Sequence, residues 1–402
     1  MATTTSFSGR TSTWLLIRLS RETTSGRFIP EMDGLRFAAI LMVVLYHVNG
    51  YLMAKTGSYE PRGEKSDWLC RAALVGSHGV ELFFVISGFI LALPFAAHYL
   101  AGAAPVNLRK YFLRRLTRLE PPYIITLLLL TALTVWFSGS GGSLGPHFAA
   151  SLFYLHNLIY GTQSKVIGVA WSLEIEVQFY LLVPLLTLVF AIRNAVVRRT
   201  LLVTLTLAAT AAASRFAPYH PRLVLSLAGY LQFFLVGFLL ADIFLLSSEA
   251  SRKSFYWDAA TLAGWPLLFV ALQSRVTRLW LFPALVFVLY CAAFRGRVTN
   301  RFFSNRWITA IGGMCYSIYL IHYEVISAVA RSTKTIGQSL PGPVYLGLQF
   351  VLLGLVIVSV CGLYFVFLEK PCMRRDWPQR LWSRARRLFP AREPRPYASF
   401  AD

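Results

Sequence analysis

The chain contains 402 residues, of which 56% are hydrophobic, 15% aromatic and only 14% charged. Soluble globular proteins carry about 25% charged residues, and disordered chains are poor in aromatic residues, so the composition excludes both classes. Lys and Arg exceed Asp and Glu, which gives a net charge of +21. The basic residues lie between long apolar runs, as is typical of a membrane protein rather than of a nucleic-acid-binding protein. We therefore predict an all-α polytopic membrane protein.

About ten stretches of the chain are candidates to cross a bilayer, which requires about 20 mostly apolar residues, although the fifth, seventh and eighth are short or closely spaced. Lys and Arg fall unevenly around them: 27 lie on the side of the two termini and 11 on the opposite side. By the positive-inside rule, both termini are expected in the cytoplasm, in a multi-pass protein of the cell (inner) membrane. The predicted spans are 34–54, 78–98, 119–138, 170–191, 200–217, 223–246, 258–272, 277–294, 308–330 and 344–368.

Three regions are predicted along the chain. Residues 1–28 form a basic N-terminal segment at the cytoplasmic interface, residues 29–371 the membrane domain, and residues 372–402 a basic cytoplasmic tail. Residues 147–160 are apolar but contain two His and one Asn, which favours a re-entrant or interfacial piece over a span. The five cysteines are scattered and form no CxxC pair, so the sequence offers no cysteine zinc site.

The first predicted span carries two ionisable residues, Arg36 and His47. They are eleven residues apart, which places them within about 20° on one helical face and about 16 Å apart along the axis. Ionisable groups inside a membrane are costly and by default indicate function. This face offers an anion-binding guanidinium near the cytoplasm and a titratable base deeper in the bilayer. Alternatively, Arg36 reaches the lipid headgroups and His47 is a hydrogen-bonded packing residue.

A basic segment precedes the third predicted span. Its Arg115 and Arg118 are three residues apart, which makes them neighbours on a helix. Paired guanidinium groups suit phosphate, because each can donate two parallel hydrogen bonds. The alternative interpretation is ordinary anchoring by positive charge at the cytoplasmic surface.

The fourth predicted span begins with two acids, Glu174 and Glu176. A carboxylate at that depth could orient an imidazole and stabilise its protonated form, or the two acids could simply favour the positive end of the helix dipole. Further polar groups in the predicted spans, each of which could also be a satisfied core residue, are Glu81, Ser87, Tyr316, Tyr319, His322 and Glu324.

Six segments taken together are more specific than any of them alone. In chain order they read DGLRFAAILMVVLYH, GVELFFVISGF, RRLTRLEPPY, WSLEIEVQFYLLVP, YSIYLIH and EKP. This set resembles the membrane-bound acyltransferase family 3, the O-acyltransferases of sugars, polysaccharides and macrolides. The resemblance extends from about Phe28 to Pro371, nearly the whole chain.

The resemblance implies roles for matching positions. Arg36 and His47 match the Arg-x10-His pair of the family, in which the His is the proposed catalytic residue. Arg115 and Arg118 match its cytoplasmic Arg-x-x-Arg, which is linked to the acyl-CoA donor. Two positions depart from the pattern: Glu81 stands where Asp is common, and Glu174 stands at a variable position, so Glu176 is expected to be the functional acid. The other matching candidates are Ser87, Trp171, Ser172, Phe179, Tyr180, Tyr316 and His322.

The resemblance also implies an activity. We expect acyl transfer, with acetyl as the expected group, from cytoplasmic acyl-CoA to a hydroxyl of a sugar, glycan or macrolide-type acceptor. His47 would act as general base, oriented by Glu176, and no metal or nucleic acid would take part. Some members carry an extra soluble hydrolase-like domain, for which this chain is expected to be too short. The alternative is a transporter or exporter of a sugar or lipid-linked glycan, because intramembrane charges also line substrate pathways.

Overall fold

The computed structural model describes residues 15–22, 28–56, 68–138, 141–216, 219–247 and 253–374, together with residues 377, 379 and 383. The described residues contain helices and no strand, which confirms the predicted all-α class. A short helical segment covers residues 15–19. The longer sequence of helices is α1 (Pro30–Ala54), α2 (Trp68–Val75), α3 (Gly79–Ala101), α4 (Leu108–Ser138), α5 (Gly141–Leu152), α6 (His156–Tyr160), α7 (Trp171–Leu186), α8 (Ala195–Phe216), α9 (Pro221–Val224), α10 (Leu227–Leu246), α11 (Phe255–Ala271), α12 (Arg275–Arg295), α13 (Val298–Phe303), α14 (Arg306–Gly313), α15 (Cys315–Thr333), α16 (Gly342–Tyr364) and α17 (Lys370–Cys372).

Eight helical stretches in the described part of the chain are long and apolar enough to cross a membrane. Two of the ten predicted spans are not among them. The span predicted at 258–272 corresponds to α11, which has 17 residues, and that predicted at 308–330 is divided at Met314 between α14 and the more polar α15. Ten spans and cytoplasmic termini therefore remain predictions. The eight stretches are Pro30–Ala54, Trp68–Ala101, Leu108–Phe137, Gly168–Ala191, Ala195–Phe216, Pro221–Leu246, Thr277–Arg295 and Gly342–Cys372.

Residues 147–160 do not form one span-length helix. They comprise the end of α5, a turn at Tyr154 and the five-residue α6. Tyr154 has a φ of 57°, a left-handed conformation that few residues other than glycine adopt. After this turn, α6 packs against α7. The polar residues predicted for an interfacial piece thus lie on short helices between the spans α4 and α7.

Helix α1 occupies the centre of the bundle and contacts α2, α3, α14, α15 and α16. Helix α3 packs along α10, and α10 packs along α8. A stack of three buried rings joins α3, α7 and α10: Phe234 lies with its ring centroid 4.8 Å from that of Phe84 and 3.9 Å from that of Phe179. Because Phe84 and Phe179 are each three residues from a predicted site residue, the stack brings Ser87 and Glu176 together.

Glycines allow the central helices to approach closely. A Cβ atom at Gly88 would lie 2.2 Å from the carbonyl oxygen of Phe234, and one at Gly237 would lie 2.4 Å from that of Val85. The contact between α3 and α10 is therefore a backbone-to-backbone crossing, of the kind that small residues permit in membrane proteins. The glycine of the SGF segment is required by packing, next to the serine that faces the candidate site.

Substitution of Gly88 by Ala tests this crossing. The added methyl group overlaps the Phe234 carbonyl, so the helices must separate, and we expect a loss of about 1–3 kcal/mol in stability. Gly354→Ala is the matched control, because Gly354 also lies within a helix but has open space around its Cβ position. That control should be neutral or stabilised by about 0.4–1 kcal/mol. Thermal unfolding of both variants in detergent compares them, and equal midpoints would contradict the close crossing.

Candidate active site

An open cavity lies among α1, α3, α4, α7, α14 and α15, with an empty volume of about 890 Å³ including its mouth. Polar and apolar side chains alternate on its wall. Nine of the residues singled out in the sequence line it: the motif positions Arg36, Ser87, Arg115, Arg118, Ser172, Glu176, Tyr180 and Tyr316, together with Tyr319.

The cavity is strongly cationic. Arg21, Arg36, Arg115 and Arg118 all line it, whereas Glu176 is the only acid among the described lining residues. Burial and the neighbouring Arg36 guanidinium lower the pKa of Arg21 to about 9, so Arg21 remains charged at neutral pH. Positive charges crowded in this way favour an anionic ligand.

Two of these arginines are held by one buried carboxylate. Asp33 is only 1% exposed and lies behind the cavity wall. Arg36 donates a hydrogen bond to its Oδ1, and Arg21 Nε lies 3.2 Å from its Oδ2. The sequence analysis did not single out Arg21, which precedes the first predicted span and carries no motif. Its place at the site depends on the position of Asp33, which only the fold reveals.

The other two arginines retain unused donors. The Nε groups of Arg115 and Arg118 are buried and have no hydrogen-bond partner among the described residues. The Arg115 guanidinium lies 5.7 Å from the ring centroid of Tyr180, a cation–π contact that holds it without using its N–H groups. The negative charge of Glu369 attracts the Arg118 guanidinium. Unpaired buried N–H groups are costly, and an anion in the cavity is the group that would satisfy them.

Hydroxyl groups also line the cavity. Ser87 donates a hydrogen bond to the carboxylate of Glu176. Ser172 Oγ lies 2.8 Å from the hydroxyl of Tyr319, which in turn donates to the carbonyl of Val169. Tyr316 likewise donates to the carbonyl of Leu119, at 2.8 Å. These hydrogen bonds fix the side chains in place, so this wall of the site is rigid.

His47 does not line the cavity but forms a pair with His322 of α15. His47 Nδ1 lies 2.9 Å from His322 Nε2, and the two ring centroids are 4.9 Å apart. The prediction that Glu176 orients His47 differs from the structure, in which Glu176 bonds to Ser87 and His47 to His322. The reason is packing: α15 lies against α1, whereas Glu176 points from α7 towards α3. A contact across 275 residues of sequence leaves no local signal.

Trp171 and Glu174 serve a neighbouring contact rather than the cavity. The carboxylate of Glu174 accepts a hydrogen bond from the backbone N–H of Asn157 at 2.8 Å, and the carbonyl of Trp171 accepts one from the Asn157 side chain at 2.8 Å. Both contacts attach α6 to the start of α7. Of the two acids in this segment, Glu176 is therefore the one at the cavity.

The arrangement combines a cationic cavity with a pair of imidazoles, of which His322 is buried and His47 is partly buried. The cavity can bind an anion through guanidinium groups, and a neutral imidazole can accept a proton. Within the described residues, no group of three or more His, Cys, Asp or Glu side chains is placed to hold a metal ion.

Comparison with known proteins agrees with the family resemblance of the sequence motifs. The model of acyltransferase family 3, described as an acyltransferase domain, matches residues 29–368. The O-acetyltransferase OatA of Staphylococcus aureus strain NCTC 8325 is 26% identical over 384 residues, which covers 88% of this chain and 58% of the relative. A putative O-acetyltransferase of S. aureus strain COL is 26% identical over 375 residues, or 86% of this chain and 57% of the relative. The chain thus spans little more than half the length of these curated relatives. No solved structure matches it significantly.

The substitution Asp33→Asn tests the buried countercharge. Removal of this charge leaves two guanidinium groups buried and unneutralised, and the loss of one partner of a buried ion pair costs about 3–5 kcal/mol. Glu22→Gln is the control, because Glu22 pairs with Arg374 at the surface, where both side chains are more than one-third exposed. An exposed pair contributes less than about 1 kcal/mol. Thermal unfolding in detergent should therefore show a much lower midpoint only for Asp33→Asn, and similar midpoints would refute this role.

Proposed function

This chain belongs to acyltransferase family 3, and we propose that it transfers an acetyl group from cytoplasmic acetyl-CoA to a hydroxyl group of a sugar or glycan-type acceptor. We place it in the cell membrane, with the acceptor approaching from the side opposite the cytoplasm. The observation that carries this proposal is the cavity with four arginines, in which the buried Nε groups of Arg115 and Arg118 have no hydrogen-bond partner among the described residues. The O-acetyltransferase names of its relatives support the acetyl group as the one transferred.

The cavity suits the phosphate end of the donor. Coenzyme A carries several phosphate groups, and guanidinium groups bind phosphate through short, charge-assisted hydrogen bonds. Arg36 lies two turns into α1, at the end predicted to be cytoplasmic, and Arg115 and Arg118 lie in the basic first part of α4. The free Nε donors of these two residues of α4 are available to phosphate oxygens. The donor therefore enters with its charged end at the arginines.

His47 is the proposed general base. It lies about 16 Å along α1 from Arg36, so an extended donor bound at the arginines would direct its thioester along α1 towards the imidazole. His47 accepts the proton of the acceptor hydroxyl as the oxygen attacks the thioester carbonyl. The carbon–sulfur bond then breaks, and the thiolate of coenzyme A takes the proton from the imidazolium. Glu176, hydrogen-bonded to Ser87, stabilises the polar wall along which the donor passes.

His47→Ala should abolish acetyl transfer, because no other group in the proposed mechanism accepts the hydroxyl proton. General-base catalysis contributes about 10²–10⁴-fold, and the loss of kcat should be at least that large. The measurement uses membranes that contain the protein, radiolabelled acetyl-CoA, and counts of label in the glycan and lipid fractions. His98→Ala is the matched control: its imidazole bonds to the Ala103 carbonyl at the end of α3, and it should not change the rate.

The same assay separates this proposal from the transporter alternative. Consumption of acetyl-CoA that depends on His47 supports acyl transfer. If neither acetyl-CoA nor a longer acyl-CoA is consumed by the wild-type protein, the enzymatic proposal fails and transport becomes the better account of the intramembrane charges.

Donor binding can be measured without turnover through Cys315, which lines the cavity. In a variant whose other four cysteines are replaced by Ala, alkylation of Cys315 should slow when coenzyme A is added. Hydrogen bonds to charged groups contribute about 1.5–3 kcal/mol, so Arg115→Ala or Arg118→Ala should raise the protecting concentration about 10- to 100-fold. The exposed Arg109, on the same helix, provides the control substitution.

Pantetheine, which lacks the phosphate groups, should protect Cys315 poorly in this assay. Equal protection by pantetheine and coenzyme A would show that the arginines do not bind phosphate. Equal behaviour of the Arg115 and Arg109 variants would lead to the same conclusion.

A further inference from the structure

The hydrogen bonds around the two imidazoles determine which ring nitrogens carry a hydrogen. His322 is fully buried, and its Nδ1 atom lies 2.8 Å from the carbonyl oxygen of Ile318 and 3.0 Å from that of Tyr319. A carbonyl oxygen only accepts hydrogen bonds. The hydrogen of a neutral His322 imidazole must therefore be on Nδ1, where it can be donated to these two carbonyls.

This assignment determines the next hydrogen bond in the chain. A neutral imidazole with its hydrogen on Nδ1 has a lone pair on Nε2, and His322 Nε2 lies 2.9 Å from His47 Nδ1. His47 must then donate from Nδ1. The single ring hydrogen of a neutral His47 is therefore on Nδ1, and its lone pair is on Nε2.

We propose that His322 is a positioning residue that fixes the tautomer of His47, so that Nε2 of His47 is the atom that accepts the proton. The proposal rests on the function proposed above, in which His47 is the general base. When Nε2 takes the proton of the acceptor hydroxyl, Nδ1–H of the new imidazolium remains bonded to His322. No proton has to leave the pair before His47 returns the proton to the departing thiolate.

A carboxylate performs this orienting task in the serine hydrolase triad, but here the partner is uncharged. The pair is embedded among apolar and aromatic side chains, with the Tyr46 and Tyr323 rings 5.1 Å and 5.5 Å from the His47 ring. A carboxylate in such surroundings would carry a desolvation cost of several kcal/mol. The orientation of a neutral imidazole by backbone carbonyls avoids that cost.

Other neighbours also contact the His47 ring. The two tyrosines contact the His47 ring edge to face, which limits its tilt without selecting a nitrogen. The carbonyl of Val43, one turn earlier in α1, also accepts a hydrogen bond from the imidazole. The variants described next measure what His322 adds to this contact.

The tautomer can be observed without turnover. In protein labelled with ¹⁵N-histidine and reconstituted in bilayers, the signals absent from His47→Ala identify the His47 nitrogens. We expect a protonated Nδ1 and an unprotonated Nε2 in the wild type. His322→Gln, whose side-chain oxygen can still accept, should keep this pattern, whereas His322→Leu should convert His47 to a mixture of tautomers. An unchanged His47 pattern in His322→Leu would overturn the proposal.

Kinetics supply the second readout. Loss of the orienting partner should lower kcat about 10- to 100-fold in His322→Leu, below the full general-base contribution of about 10²–10⁴-fold. The KM for acetyl-CoA should stay within twofold, because the arginines are unchanged. His322→Gln should recover most of the rate, and His98→Gln, outside the pair, should behave as wild type. Thermal unfolding of each variant verifies that it is folded.

These experiments distinguish failure of the inference about His322 from failure of the proposed function. If Gln and Leu at position 322 impair kcat equally, or if KM rises while kcat is unchanged, His322 has a packing role only and the inference is wrong. If His47→Ala retains full activity while the His47 tautomer still depends on His322, the general-base function fails and the positional relation between the two imidazoles stands.

Discussion

The cost of burying charge in a membrane domain determines where each polar group of this protein can lie. Four guanidinium groups meet in one cavity, and isolated charges in such surroundings are strongly unfavourable. Asp33 lowers the cost of burying two of them, Arg21 and Arg36, because its carboxylate contacts both guanidinium groups. Close backbone packing holds this acid in place, because a Cβ atom at Gly312 would lie 1.7 Å from the Asp33 carbonyl oxygen. The Nε groups of Arg115 and Arg118 have no hydrogen-bond partner among the described residues, and in the proposed function the phosphates of the donor bind them.

Two helices each contribute to both polar clusters. Helix α1 carries Arg36 and His47, and α15 carries Cys315 and His322, so the spacing of each pair is determined by helical rise rather than by loops. Because the two helices pack against each other, the distance between the cationic cavity and the imidazole pair is a rigid property of the fold. In the proposed reaction this spacing keeps the charged end of the donor at one side of the membrane while its thioester is presented deeper in it.

Part of this site could be predicted from sequence. Helical periodicity places Arg36 and His47 on one face, and the ordered set of motifs singled out eight residues that the structure brings to one cavity. The prediction failed where a contact depends on helices distant in sequence. The pairing of His47 with His322 and the presence of Arg21 at the cavity have no local periodicity to indicate them. The number of spans stays a prediction for a different reason: α11 has 17 residues, and its apolar pattern does not distinguish a short span from a buried helix.

The separation of Glu176 from His47 is itself informative about the chemistry. Both acids at the start of α7 are occupied elsewhere: Glu174 attaches α6, and Glu176 bonds to Ser87 at the cavity wall. Glu176 thus lies in the cavity with the arginines, and the base keeps an uncharged partner. A carboxylate beside His47 would favour the protonated imidazole before the acceptor arrives, which would remove the lone pair that the reaction requires. A neutral orienting group leaves the imidazole free to take the proton from the substrate hydroxyl, which is the requirement that the proposed direct transfer places on this site.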